Sequence, residues 1–280
     1  MKINKADIEQ HIEFLTSIDT AYSDGRLEVS RLNSANNYAY DDNASAVAKA
    51  IEINSNNRSA YIVGATLDPD IAPFGRSSDN DFYMSNFVWA DIDEPHNADE
   101  LKALYKECKP NAAVVTARHP HRRIQLWWKL SGAIEDPDTI TEALKGICQA
   151  LNGDPAVTNP TSLMRIGGTI NYPSEKKLAG GRVVELTEFV LLHNESVPIE
   201  KILHTFPCHD MDTGEVFETQ QITRTTTSGN ALSVVEKIVD GRDKYMSDMI
   251  YASIISLTGE AKRWPEAQEV FDDCWPVYER

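Results

Sequence analysis

The stretches FVWADID (87–93) and RRIQLWWKL (122–130) decide how this chain is read. Side chains alternate along a strand, so Phe87, Trp89, Asp91 and Asp93 share one face. Val88, Ala90 and Ile92 take the other face, to pack under helices. In the second stretch Arg123, Gln125, Trp127 and Lys129 share a face, opposite Ile124, Leu126, Trp128 and Leu130. Two carboxylates two residues apart on an otherwise apolar strand repel each other. A divalent cation between them turns that repulsion into attraction, and oxygen ligands suit Mg²⁺ or Mn²⁺. An acidic turn after a strand (DIDEP) would also produce D-x-D, so the second stretch carries weight: its cationic row lines the same face. Arg165, on a short strand at 163–167, can join that row, and Asp154, in NGDPAVTNP, can add a third carboxylate. Acids that hold metal beside cations that hold phosphate are what a metal-bound nucleoside triphosphate requires.

Working outward, the spacing predicts strands at 86–93, 111–117, 123–130 and 163–167, with helices at 97–107 and 138–151. The order β-α-β-β-α-β is the split arrangement of ferredoxin-like and RNA-recognition-like (RRM-like) domains, in an α+β class. It leaves one face of an antiparallel sheet uncovered by helices, and it assigns no function by itself. Upstream, Asn4 can cap a helix with Ile8, Ile12, Leu15 and Ile18 as its stripe. Strands are expected at 26–32 and 60–66, and a helix over 44–54 capped by Asn43. The catalytic-type domain is read as 1–206. Residues 207–230 read as a polar linker, and 231–280 as a small C-terminal α-helical module with patterns at 231–239, 243–258 and 264–274, cut from a longer protein.

The 280 residues carry 27 Lys+Arg against 43 Asp+Glu, a net charge of −16. This excludes a uniformly basic nucleic-acid coat, but the charge is uneven: residues 101–182 hold 12 basic and 7 acidic side chains, and both flanks are strongly acidic. A positive centre between acidic flanks can attract a polyanion to one place. No apolar run is long enough for a membrane span, and the charged N-terminus reads as no secretory signal. The four cysteines lie far apart, which speaks against zinc or disulfides and for a reducing cytoplasm.

FVWADID, RRIQLWWKL and NGDPAVTNPTSLMRIGGTINYPSEKK (152–177), in that order, resemble the three motifs of the archaeo-eukaryotic primase superfamily. The likeness is to phage- and plasmid-encoded primase-polymerases, including the RepB-like primase branch, and it covers residues 60–190. It implies a template-directed nucleotidyltransferase, a DNA primase or DNA polymerase that works in DNA replication by a two-metal mechanism. Asp91, Asp93 and Asp154 are then the catalytic, metal-binding acids for Mg²⁺ or Mn²⁺. Arg123, Gln125 and Arg165 cradle the dNTP or NTP, with His121, Arg122 and Lys176 as helpers. Partners implied are a single-stranded DNA template, a primer and a helicase domain or partner, in the cytoplasm of a bacterial or archaeal host. Two departures stand out: Gln125 replaces a motif histidine, as in RepB-like members, and Gly167 stands where the family often has Pro. The helical run opened by Asp240-Gly241-Arg242-Asp243 is similar to the helical domain that follows such catalytic domains.

Two other classes compete. His119-Pro120-His121 offers the paired histidines of a rolling-circle initiator or relaxase, but in a turn, and it leaves D-x-D without a role. A non-catalytic single-stranded nucleic-acid-binding module would stack bases on Trp89 and Trp127, against which stands ordinary core packing of tryptophan.

Overall fold

The computed structural model describes residues 1–17, 25–31, 38–40, 42–71 and 77–209. The expected linker beyond His209 and the three expected C-terminal helices lie outside the described residues. In chain order the elements are α1 (Lys5–Thr16), β1 (Leu27–Arg31), β2 (Tyr38–Tyr40), α2 (Asn43–Ser55), β3 (Ala60–Val63), β4 (Thr66–Leu67), β5 (Phe82–Ile92), α3 (Ala98–Leu104) and β6 (Ala112–Ala117). They continue with β7 (Arg123–Ile134), α4 (Pro137–Leu151), β8 (Leu163–Arg165), β9 (Ile170–Asn171), α5 (Glu175–Ala179), β10 (Glu185–Leu186), β11 (Glu188–Leu191) and α6 (Ile199–Thr205). Their strands form a five-stranded sheet, β11-β6-β7-β5-β4, a four-stranded sheet, β2-β1-β3-β8, and a short pair, β10-β9. Every pairing between these strands is antiparallel.

The expected run β-α-β-β-α is β5-α3-β6-β7-α4. Local chemistry sets its ends: Asn97 accepts from the Asp99 and Glu100 N–H groups to start α3, and Asp136 caps α4 ahead of Pro137. Further upstream, Asp42 rather than Asn43 caps α2, accepting from the Ser45 N–H.

The closing strand departs from the expectation. Residues 163–165 leave the five-stranded sheet and pair with β3, setting Tyr61 opposite Arg165. The place beside β5 is taken by β4, with Thr66 opposite Met84. The cause is visible at Gly64. Residues 60–66 are not one strand: β3 ends in one sheet and β4 begins in the other. Between them the backbone passes over two indole rings, where a β-carbon on Gly64 would lie 2.5 Å from Trp89 and 2.8 Å from Trp127. Only glycine permits that crossing.

The face expected to be open is covered. Phe87, Trp89 and Trp127 are buried to 1% exposure or less. Phe14 of α1 meets Phe87 at 4.9 Å between ring centres, and His11 meets Trp127 edge-on at 5.5 Å. On the opposite face α4 packs through Ile140, Leu144, Ile147 and Leu151, and Trp128 meets Phe206. Base stacking on Trp89 or Trp127 is thereby excluded; both are core residues, as tryptophan usually is.

The Gly167 departure also has a packing cause. Its N–H donates to His11 Nδ1 at 3.1 Å, which proline could not do. A β-carbon there would meet Phe189 at 2.6 Å. Burial lowers the His11 pKa to about 3, so the imidazole is neutral and its Nδ1 is free to accept. Cys108 and Cys148 are unbridged. Among the described residues no helix is long and apolar enough to cross a membrane.

Trp127→Ala empties space between α1 and the sheet, so it is expected to cost about 3–5 kcal/mol in urea unfolding. A loss below about 1 kcal/mol would mean that the ring is not a core element.

Candidate active site

Asp91 and Asp93 emerge at the end of β5, where the strand leaves the core. Gln125 lies directly opposite Asp91 on β7. Its Nε2 donates to Asp91 Oδ2 at 3.1 Å, while its Oε1 accepts from the Arg165 backbone N–H at 3.0 Å. One amide thus joins β5, β7 and β8, and with them the two large sheets.

Asp154 reaches the same place by backbone contacts. At the end of α4, Asn152 turns left-handed (φ 52°) and Gly153 passes within van der Waals reach of β5; a β-carbon there would be 3.1 Å from the Asp91 carbonyl. The Asp154 N–H then donates to that carbonyl at 2.8 Å. Trp89 Nε1 holds the following turn by donating to the Val157 carbonyl at 2.9 Å.

Three carboxylates in one place change one another. Burial, then the charge of Asp93, pushes the Asp91 pKa up to about 7, and Asp154 adds to the rise; Gln125 and Arg165 oppose it. Asp91 Oδ1 is buried and has no hydrogen-bond partner. Close by, Arg123 is 1% exposed; one nitrogen donates to the His119 carbonyl while Nε and Nη1 have none. Arg165 Nη2 donates to the Tyr61 hydroxyl at 3.0 Å, its guanidinium lies 4.7 Å over the Tyr61 ring, and Nη1 is unpartnered.

Beside the acids opens a cavity of about 540 Å³ whose lining includes Arg31, Arg58, Arg165, Lys177 and Arg182 with Tyr61 and Tyr172. None of its described lining residues is acidic. In a chain of net charge −16 this concentrates positive charge at one spot. Arg182 spans cavity and acids, donating to Asp93 Oδ2 at 2.9 Å. Burial, then the charge of Arg182, lowers the Arg123 pKa.

The primase-polymerase (PrimPol) AEP domain of cyanophage S-2L superposes on 74% of this chain and 100% of its own, with a TM-score of 0.53 and 15% identity. This chain has the archaeo-eukaryotic primase fold. Primase RepB′ (13% identity, 71% of this chain, 62% of that one, TM-score 0.46) and the catalytic domain of primase RepB′ in complex with initiator DNA (13%, 71%, 93%, TM-score 0.43) are also similar. No protein-family model and no curated protein sequence matches the chain.

On this primase fold the expected residues divide. Asp91, Asp93, Asp154, Arg123, Gln125 and Arg165 come together. His121 stands at their edge, with Nε2 2.7 Å from the Asp93 carbonyl oxygen. Arg122, just before β7 begins, is exposed, and its charge acts on Tyr105 after α3 rather than joining Arg123. Lys176 is exposed and Lys177 lines the cavity instead, since consecutive residues of the short α5 point in different directions. Arg31, Arg58, Tyr61 and Arg182 were not found from the sequence; they arrive from other elements, and no motif marks them. The paired histidines do not combine: His119 is set against Glu185 at 3.4 Å, while His121 turns to Asp93.

Among the described residues no three His, Cys, Asp or Glu side chains are arranged to enclose a metal ion. Asp154 is turned to cap the Ala156 N–H at 2.9 Å, and Asp93 faces Arg182. The chemistry of the donors nonetheless fits a divalent cation: Asp91 Oδ1 is bare, and its neighbours' like charge opposes its ionisation.

Because the folded pKa of Asp91 lies above its unfolded value, the folded state binds the extra proton. That contribution to stability is present at low pH and is lost as pH rises through about 7. Asp91→Asn is therefore expected to raise the melting temperature of the metal-free protein strongly at about pH 8.5 and to change it little at about pH 4, near the unfolded value. Equal effects at the two pH values would show an ordinary carboxyl.

Proposed function

We propose that the chain is a template-directed nucleotidyltransferase, a DNA primase, DNA polymerase or both, acting in DNA replication. One observation carries this reading: a buried carboxylate oxygen without a partner, on Asp91, stands among buried guanidinium nitrogens without partners, on Arg123 and Arg165. Buried polar atoms are rarely left unmatched. A ligand that presents a cation to the carboxylate and phosphate oxygens to the guanidiniums satisfies them together, and a metal-bound nucleoside triphosphate does so.

Asp91, Asp93 and Asp154 would hold the divalent cations, Mg²⁺ or Mn²⁺. Bound there, they would lower the pKa of a primer 3′-hydroxyl and offset charge on the leaving pyrophosphate. Arg123 and Arg165 bind the triphosphate, and the cationic cavity that Arg165 lines takes up its phosphates. Tyr61 fixes the plane of Arg165 by ring contact and hydrogen bond. Gln125 sets the Asp91 carboxylate, leaving one Nε2 hydrogen for a phosphate oxygen. His121 steadies the turn after Asp93. Trp89, through Val157, keeps Asp154 at hand. The substrates on this reading are a dNTP or NTP, a primer and a single-stranded DNA template, in a phage or plasmid setting within the host cytoplasm; a helicase is the expected partner.

Primer extension tests it. Asp91→Ala is expected to reduce nucleotide incorporation to background with the circular dichroism spectrum retained. Arg165→Ala, which removes one charged contact, should raise KM for the nucleotide about tenfold. Extension by Asp91→Ala at the native rate would sink the assignment.

A further inference from the structure

Arg182 is the one cation that touches both halves of the site among the described residues. Its Nη2 lies 2.9 Å from Asp93 Oδ2, and its side chain also lines the cavity with Arg165 and Lys177. The pair is partly covered, with the two side chains 25% and 30% exposed. The chain around it is exposed, and its backbone hydrogen bonds are local ones, such as the Arg182 N–H to the Lys177 carbonyl at 3.1 Å. Residues 174–181 and 183–184 are exposed, and Gly181, just before Arg182, adopts φ +86°, with its nearest outside atom 4.0 Å from a built β-carbon. The guanidinium is thus anchored chiefly by a carboxylate that the proposed reaction needs.

We propose that Arg182 is an exchanging counter-ion: it neutralises Asp93 while that carboxylate holds no metal, and on release it becomes a phosphate-binding residue of the cavity. The inference rests on the reading of Asp93 as a metal-binding acid. Oδ2 of Asp93 can hold a guanidinium or a divalent cation in the same direction, but not both. Freed, the guanidinium is a planar fork suited to phosphate oxygens, next to Arg165 and Lys177. Asp93 and the cavity are then coupled: filling one favours filling the other, and the coupling is reciprocal. The arrangement also keeps a second bare carboxylate from facing Asp91 before metal arrives.

The test is Mn²⁺ titration of the full chain by calorimetry or electron paramagnetic resonance, without nucleotide. Arg182→Gln removes the competitor and is expected to tighten Mn²⁺ binding about fivefold or more. Lys177→Gln makes the same change in cavity charge without breaking a bond to Asp93, so it should tighten binding much less. With saturating Mn²⁺, Arg182→Gln should weaken the binding of inorganic tripolyphosphate. A merely structural role for Arg182 would weaken both ligands. Equal Mn²⁺ affinity in native protein and Arg182→Gln, with Asp93→Asn abolishing binding, overturns the exchange and leaves the metal site standing. Unchanged Mn²⁺ affinity in Asp93→Asn overturns the metal reading and the exchange with it.

Discussion

The passage of the backbone over Trp89 and Trp127 at Gly64 is the constraint on which the rest depends. A β-carbon at that point would sit inside van der Waals contact with both indoles, so the two sheets can close on each other only through glycine. The crossing sends β3 into one sheet and β4 into the other. It also brings β8, paired with β3, against the end of β7. Without that juxtaposition Arg165 would not reach Gln125, and Gln125 would not tie Asp91 to the second sheet. The site is a seam between two sheets, held by core packing beneath it and by one amide at its surface.

The electrostatics follow from the seam. Carboxylates come from the end of β5 and the turn after α4, while cations come from β1, β7, β8, α5 and the α2–β3 and α5–β10 connections. Meeting at one place, they leave polar atoms that the protein does not satisfy internally. An enzyme site commonly holds such groups ready for charge that arrives with the substrate. In a chain of net charge −16, the described lining of the cavity holds cations and no acid, so positive charge is concentrated there.

The substitutions that looked like departures have physical reasons. Gly167 supplies an N–H to a buried neutral histidine and avoids Phe189. Gln125 has two functional ends, and the structure uses both: its Nε2 donates to Asp91 and its Oε1 accepts from the Arg165 N–H.

The sequence by itself determined the local features. Alternation along 87–93 and 123–130 put Asp91 and Gln125 on one face, capping residues set the ends of α3 and α4, and the ordered motifs pointed to the primase fold, which the superposition on the cyanophage domain supports. These are readable because period, caps and motif spacing act over a few residues. That Asp91 and Gln125 stand directly opposite is a matter of strand register. Tertiary structure alone decided what lies far apart in the chain. It moved the strand at 163–165 to a second sheet, buried the face that the strand order had left open, and turned Arg122 and Lys176 aside. It also gathered Arg31, Arg58, Tyr61, Lys177 and Arg182 around one cavity. No periodicity records such meetings, because which sheet a three-residue strand joins is settled by long-range packing, and in this chain by the absence of one β-carbon at Gly64.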